Sequence, residues 1–189
     1  MLDESPRVRF PVRTAFRFGA PRIPSPWSIK GETSNHEERQ TMDDKMLTEM
    51  TAFVKERDLC VLATVSGGNP HCSLMAYVTD EECREVYMAT RRDTAKYRNM
   101  RKNPSVSLLI DNREVQRESA ISGARALTVS GTFQPIQDEE KRFRVRAGLL
   151  ARHPYLEAFL EDPEAEVFGV KVSAFLLLDG LTEAHFVPV

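Results

Sequence analysis

Cysteine, tryptophan and long apolar runs are scarce in this sequence of 189 residues. Its cysteines are Cys60, Cys72 and Cys83, an odd number without the close paired spacing of a zinc ribbon or a redox dithiol, so we expect a reducing compartment and no metal site. Cys60 and Cys72 fall within strand-like runs, where a free cysteine usually packs as a small buried hydrophobe. No run approaches the roughly 18 apolar residues of a membrane-spanning helix, and the N-terminus lacks the apolar block of a secretory signal. These absences predict a soluble, cytoplasmic protein with no membrane partner.

An excess of charge is also lacking. The formal net charge of -2 and the pI near 6.1 argue against a surface built as a whole for nucleic acid or anionic lipid. The basic residues that do cluster, in the stretch "ATRRDTAKYRNMRK", are accompanied by a single aromatic residue, Tyr97, and not by the interleaved aromatic residues that stack on bases. We therefore expect no nucleic-acid partner, and any basic site must be local.

The first part of the chain differs in composition from the rest. Residues 1–41 interleave prolines with arginines, and proline at that density cannot build a helix or a central strand. We expect an extended or disordered arm over 1–41 and a single domain over 42–189. Two alternatives stay open: Met42 is the physiological start and the arm is an upstream extension, or the arm is a basic targeting peptide.

From Met42 onward, strand-like runs separated by turn signals dominate. A helix over "MDDKMLTEMTAFVKERD" is followed by the strands "LCVLATV", "HCSLMAYV" and "EVYMAT", a short basic helix, and the strand "SVSLLI". After a polar loop from Asn112 to Ala124, which we expect to line a site, come another strand, helices from Asp138, and the final strands "AEVFGVKVSAFLLLDG" and "EAHFVPV". The pattern predicts a mainly β fold with flanking helices, closed as an antiparallel barrel, with an open sheet as the alternative.

The basic helix begins where anions bind well. The run "EVYMAT" ends at Thr90, Asp93 or Thr94 is a suitable N-cap, and Lys96 falls in the first helical turn. Free backbone amides, the positive end of the helix dipole and a cation converge there, which indicates a phosphate site. The cations nearer the helix C-terminus are expected to be solvated surface.

The order of these segments resembles the FMN-binding split-barrel superfamily of pyridoxamine 5'-phosphate oxidase-like proteins, over roughly residues 46–178. The resemblance rests on a distributed pattern: an Ala-Thr strand, a Gly-X-Pro-His turn, a Thr-X-X-X-X-X-Lys segment, an Asn-Pro pair, and a glycine on the strand after the long loop. It implies a six-stranded antiparallel split barrel of Greek-key type, and a homodimer that binds FMN at its interface.

The resemblance also implies which residues hold the cofactor. The second strand would run beside the flavin ring and the ribityl chain, with contacts from His71, Cys72, Ser73, Leu74, Met75 and Ala76. The phosphate end would be held by Ala89, Thr90, Arg91, Thr94 and Lys96, with Lys96 as the principal ligand. The flavin would transfer a hydride or electrons between an electron donor and a small molecule, neither of which the sequence identifies. No catalytic side chain is implied.

The chain departs from the true oxidase in one respect. The C-terminal segment with tryptophan and arginine that holds substrate in that enzyme is missing, so oxidation of pyridoxamine phosphate is not implied. Three alternatives remain open: a flavin carrier or sensor without turnover, a deazaflavin-dependent reductase, and a split-barrel heme-binding or heme-degrading protein. In the last case His153 or His185 would be the axial ligand.

Overall fold

The computed structural model describes residues 34–112, 124–180 and 183–189. The elements follow in the order α1 (Ser34–Glu56), β1 (Leu59–Ser66), β2 (Asn69–Thr79), β3 (Glu85–Arg91), α2 (Ala95–Lys102), β4 (Ser105–Asp111), β5 (Arg125–Pro135), α3 (Glu139–Arg152), a 3-10 turn (Pro154–Leu156), α4 (Glu157–Glu161), β6 (Ala165–Asp179) and β7 (Glu183–Pro188). Most of the expected loop between Asn112 and Ala124, and the arm up to residue 33, lie outside the described ranges. None of the helices within those ranges is long and apolar enough to cross a membrane.

The described strands form one antiparallel sheet that closes on itself. Its order is β3-β2-β1-β4-β5-β6-β7, and an additional pairing of β3 with β6 closes six of these strands into a barrel. The long strand β6 pairs with β3 over Ala165–Lys171, and with β7 over Ala174–Asp179. Closure removes unpaired edges, which otherwise invite association with other chains. The prediction of a mainly β, closed antiparallel barrel is confirmed.

Alternation along the strands builds the core. In β1, for example, residues Cys60, Leu62 and Thr64 are buried while their neighbours are partly exposed, as expected for side chains that alternate between the two faces. Helix α1 adds Met50, Phe53 and Val54 to the same core cluster. Each fully buried aliphatic or aromatic side chain stabilises the fold by about 1.5–3 kcal/mol.

A second apolar cluster attaches the later helices to the outside of the barrel. It joins Val145 and Leu149 of α3 and Leu160 of α4 to Val167 of β6. Partly buried residues of β2 and β3 pack against this cluster, namely Val78, Tyr87 and Ala89. As a result, α3 and α4 cover the outer face of the barrel beside the ends of β2 and β3, where the basic turn lies.

A glycine on β5 permits the close approach of β5 and β6. The register shifts between Ser130 and Gly131, and a Cβ atom added at Gly131 would lie 2.6 Å from both the Lys171 carbonyl oxygen and Val170 Cγ1. No real Cβ fits there without movement of the backbone, so any other residue would force the two strands apart. This explains physically the glycine that the sequence pattern includes on the strand after the loop.

The first helix is longer than the sequence pattern indicates. It begins at Ser34 rather than at Met42, so part of the expected arm is helical. The last proline before this point is Pro26, and residues 34–41 are rich in helix formers such as glutamate, glutamine and arginine, so nothing in that stretch stops a helix. The prediction of an extended arm was therefore wrong for residues 34–41.

Candidate functional site

Most of the predicted site residues line one cavity. This phosphate cavity, as we call it, has a volume of about 220 Å³ and lies between the middle of β2, the end of β3 and the start of α2. Its lining comprises Leu74, Met75, Ala76, Ala89, Thr90, Arg91, Thr94, Lys96, Leu156 and Phe159. The two halves of the predicted site, one on β2 and one on the basic turn, therefore lie together.

Thr94 caps the helix that forms one side of the phosphate cavity. Its side-chain oxygen accepts a hydrogen bond from the Tyr97 backbone N–H at 3.4 Å, and its hydroxyl donates to the Arg91 carbonyl at 2.8 Å. Because the Thr94 hydroxyl donates its proton to the Arg91 carbonyl, Thr90 is the donor in the 3.1 Å hydrogen bond between the Thr90 and Thr94 hydroxyls. The first N–H groups of α2, those of Ala95 and Lys96, have no acceptor within the helix and are available to an anion.

Lys96 is a cation with no carboxylate partner among the residues that the structure describes. Its side chain is partly buried, and the pKa of its ammonium lies below the ordinary value because burial disfavours the charged form. Within the described residues no carboxylate lies within ion-pairing distance of Lys96 Nζ, and burial is the only cause of the pKa shift. An anion in the phosphate cavity would supply a negative charge to pair with the Lys96 ammonium.

Arg91, in contrast, is already paired. Its guanidinium hydrogen-bonds to Asp93, at 3.2 Å from Nε to Oδ1, and forms a close ion pair with Asp162, which follows α4. These two carboxylates raise the pKa of the Arg91 guanidinium above its ordinary value, Asp93 with the larger effect. Arg91 lines the cavity as predicted. Its guanidinium is already paired with two carboxylates, and the pair with Asp162 links β3 to the segment that follows α4.

One wall of the cavity was missed by the sequence analysis. Leu156 of the 3-10 turn and Phe159 of α4 close the cavity on the side facing β2 and β3. Both lie in "PYLEAFLED", part of the region that the sequence analysis assigned only to helices from Asp138. The available signal was Pro154: it breaks α3 at His153 and redirects the apolar residues that follow it toward the barrel.

The remaining predicted residues on β2 lie outside the phosphate cavity. His71 and Cys72 are exposed, and the His71 ring nitrogen Nε2 lies 3.3 Å from Ser73 Oγ. The expectation that Cys72 is buried was wrong, because alternation places it on the same outward face as Leu74, whereas Cys60 points inward. Burial raises the pKa of the Cys60 thiol to about 12, so it stays a neutral packing group.

An apolar row crosses the outer face of the barrel. The strand registers place six residues side by side on β2, β1, β4, β5, β6 and β7, in the order Leu74, Val61, Leu109, Thr128, Leu176 and Phe186. Of these side chains Leu74 is 68% exposed, Phe186 63% and Leu109 36%. In the described part of the chain this face is therefore a broad apolar surface in contact with water.

A second, larger cavity adjoins the phosphate cavity. It has a volume of about 680 Å³, and Leu74 belongs to the lining of both. We call it the large cavity; its lining comprises Glu56, Arg57, Asp58, Leu59, Cys60, Val61, Leu74, Leu109, Asp111, Arg152, His153 and Tyr155. The two cavities thus share Leu74, which is the first residue of the apolar row.

The two histidines considered as heme ligands differ in their surroundings. His153 is only 2% exposed, with Nε2 2.9 Å from the Tyr77 carbonyl oxygen and Nδ1 3.4 Å from the Tyr155 hydroxyl. Because a carbonyl can only accept, His153 Nε2 carries the proton and Nδ1 accepts from Tyr155. His185 lies on β7 opposite Leu177 and is partly buried. Both ring nitrogens of His153 are thus engaged within the fold.

Comparisons with known proteins agree with this fold. The sequence model of the pyridoxamine 5'-phosphate oxidase family matches residues 46–178. Among solved structures, the chain is similar to a heme binding protein from Mycobacterium smegmatis (TM-score 0.66, 17% identity), covering 75% of this chain and 57% of that one. It is also similar to the heme storage protein HutZ from Vibrio cholerae (TM-score 0.59, 20% identity, covering 70% and 93%). A FAD-binding protein from Mesorhizobium loti has a TM-score of 0.56 and 19% identity, covering 69% and 91%.

The identities of these structures are low, so they show the shared fold. The family match, in contrast, spans most of the chain, from the second half of α1 to the end of β6. It includes both halves of the phosphate cavity, on β2 and on the turn between β3 and α2. The chain therefore belongs to the pyridoxamine 5'-phosphate oxidase family.

Proposed function

We propose that this protein binds FMN between the two subunits of a homodimer and uses it to transfer a hydride or electrons to a small molecule. Lys96 carries the proposal: a partly buried ammonium with no carboxylate partner among the described residues, beside the N-terminus of α2. A phosphate dianion satisfies both features at once, since the helix N-terminus and the ammonium attract the same charge.

The size of the phosphate cavity indicates which part of FMN it holds. Its 220 Å³ lies below the roughly 300–1,000 Å³ of typical cofactor pockets. The cavity therefore suits the phosphate and the ribityl chain, and the flavin ring extends over Leu74 along the outer face of β2. There the strand residues from His71 to Ala76 line the ring, with side chains and backbone groups as contacts.

A second copy of the chain would cover the apolar row. The row runs from Leu74 on β2 to Phe186 on β7 and contains no charged residue. An exposed apolar face of this width marks an interaction surface, and the cores of homodimer interfaces are depleted of charge in the same way. Pairing through this face would also enclose a ring that lies on Leu74, because Leu74 is at the end of the row.

The chemistry of such a site belongs mainly to the cofactor. Flavins accept or donate a hydride or single electrons, and the protein binds, orients and shields the ring. The residues of this chain have corresponding tasks: Lys96 and the start of α2 hold the anionic end, and Leu156 and Phe159 keep water from the cavity wall. No side chain is required as a dedicated acid or base.

Heme is the second candidate, because two of the similar structures are named for heme binding or storage. The large cavity offers space, with a volume of 680 Å³. His153 argues against this candidate, since both of its ring nitrogens make contacts within the fold and ligation of iron would break one of them. Of the two histidines proposed as axial ligands, His185 is therefore the one to test.

The absorption spectrum of the purified protein, before and after incubation with FMN, tests the proposal. Bands of bound oxidised flavin, with release of a molecule of the mass of FMN on denaturation, are the expected result. A different mass identifies a deazaflavin, and a heme band after addition of hemin to a protein that does not bind FMN identifies the second candidate. Bleaching of the flavin bands by NADH or NADPH, and their return with an acceptor, distinguishes an oxidoreductase from a carrier or sensor.

A further inference from the structure

A buried hydroxyl lies between the two halves of the proposed FMN site. Thr64 of β1 is only 3% exposed and points into the barrel, on the same face as Cys60 and Leu62. A hydroxyl buried among apolar side chains is unfavourable unless it makes hydrogen bonds, and valine has nearly the same shape without that cost. Packing alone therefore does not explain a threonine at this position, and its hydrogen bonds must.

Thr64 makes hydrogen bonds to both halves of the site. Its hydroxyl donates to the His71 carbonyl oxygen at 3.3 Å, and its oxygen accepts from Asn99 Nδ2 at 3.2 Å. His71 is the first residue of the β2 segment that we propose to line the flavin ring. Asn99 lies on α2, in the turn after Lys96. Two hydrogen bonds thus connect the helix that holds the phosphate end to the strand beside the ring.

The β2 segment beside the ring is paired along one edge. In the described sheet, β2 pairs with β1 over Asn69–Ala76, whereas its pairing with β3 covers Tyr77–Thr79. The position of residues 71–76 therefore depends on β1. The register places His71 directly opposite Thr64, so the hydroxyl contact lies where β2 enters the site.

The other contacts of α2 do not fix its position relative to β2. Met100 is buried in the core and holds the helix against the barrel, but apolar contacts are non-directional. The hydrogen bond between Thr90 and Thr94 is directional, but it ties the start of α2 to β3. Asn99 supplies a directional link to β1 and, through Thr64, to β2.

From these contacts we infer that Thr64 and Asn99 are positioning residues, which set the distance between the phosphate end and the ring end of the FMN site. The inference deepens the proposed function and rests on it. FMN spans both ends as one molecule, so it gains affinity over its separate parts only if the two ends are held at its length. Riboflavin lacks the phosphate and inorganic phosphate lacks the ring, so the affinity of neither depends on that distance.

Isothermal titration of the FMN-free full-length protein with FMN, riboflavin and inorganic phosphate tests the inference. Thr64→Val removes both hydrogen bonds at nearly constant shape, and we expect it to raise the dissociation constant of FMN about three- to tenfold. The dissociation constants of riboflavin and inorganic phosphate should each change by less than about twofold. Thr64→Ser keeps the hydroxyl and should bind FMN as the unchanged protein does.

Tyr77→Phe is the matched control for the loss of a buried hydrogen bond. The Tyr77 hydroxyl donates to the Val54 carbonyl of α1 at 2.6 Å, a contact that involves neither α2 nor the carbonyl groups of β2. Tyr77→Phe should therefore lower the stability of the protein, as Thr64→Val does, and leave FMN affinity unchanged. A role of Thr64 in stability alone would make the two variants behave alike toward FMN.

Two results would overturn the inference: FMN affinity that Thr64→Val leaves unchanged, or an equal loss of affinity for FMN and for one of its parts, which indicates damage to one half of the site. If Thr64→Val fails to fold, Asn99→Ala decides, because it removes the same link from a partly exposed position on α2 and must give the same pattern. An unchanged protein that takes up no FMN refutes the proposed function, and this inference with it. Equal FMN affinity in the unchanged protein and the variants refutes this inference alone.

Discussion

Lys96 offers the sharpest test of the phosphate cavity. In Lys96→Ala the ammonium that would pair with the phosphate is lost, and a hydrogen bond to a charged group contributes about 1.5–3 kcal/mol. Since 1.4 kcal/mol corresponds to a factor of ten in affinity, we expect the dissociation constant of FMN to rise by about 10- to 150-fold. The matched control is Lys102→Ala, at the exposed end of the same helix, which should leave FMN affinity unchanged. Titration of the FMN-free proteins, followed by flavin fluorescence, measures both.

The stability of the FMN-free protein supplies an independent check. Lys96 is desolvated without a partner, which disfavours its charged form, so Lys96→Ala should leave the free energy of unfolding of the FMN-free protein unchanged or raise it. A structural lysine would behave in the opposite way. The reasoning is refuted if Lys96→Ala binds FMN as tightly as the unchanged protein, or if it loses affinity only because the FMN-free form has become unstable.

Three further predictions concern pH, assembly and packing. The pKa of Lys96 is lower in the folded than in the unfolded protein, so the FMN-free protein should gain stability as pH rises through the folded pKa. FMN affinity should fall over the same pH range, because Lys96 loses its charge. Lys96→Arg should abolish both pH dependences, which urea unfolding and flavin titration measure. Thr128→Arg, which places a charge in the middle of the apolar row, should give monomers in light scattering, whereas Phe143→Asp, at a side chain 73% exposed on α3, should not. Gly131→Ala should destabilise the fold by about 1–3 kcal/mol in urea unfolding, because the new Cβ would lie 2.6 Å from its neighbours. Gly148→Ala is the control and should not destabilise the fold, since its Cβ would meet nothing closer than 3.8 Å.

Local sequence signals predicted the strands well and the first helix poorly. The turn at Gly67 and Gly68, both with positive φ, marks the β1–β2 hairpin, and alternation of apolar residues marks the strands on either side. Where a helix begins depends on weaker preferences, and the stretch from Ser34 contains neither a proline nor a strong apolar period. The sequence pattern favoured a closed barrel, but it could not identify the pairing of β3 with β6 that closes it, because these strands are far apart in the chain.

In the site, too, local features could be predicted from the sequence, whereas contacts between distant segments could not. Thr94 and Lys96 could be placed from the sequence, because a cap and a first turn are local features of the chain. The pairing of Arg91 with Asp162 could not, since the two residues are 71 positions apart and many carboxylates were equally available. The wall formed by Phe159 was missed for the same reason: its partners on β2 and β3 become neighbours only when the barrel has formed.

The proposed position of the flavin ring has a thermodynamic consequence that links the two halves of the proposal. If the ring lies between two subunits, FMN binding and dimerisation are coupled, and each must strengthen the other by the same factor. Thr128 lines neither cavity, so Thr128→Arg should weaken FMN binding only by preventing dimer formation. Conversely, Lys96→Ala, which does not alter the apolar row, should reduce the stabilisation of the dimer at a given FMN concentration, because less FMN is bound. Sedimentation of both variants with and without FMN measures the coupling. If the ring instead binds within one subunit, Thr128→Arg should leave FMN affinity unchanged, and FMN should not change the stability of the dimer.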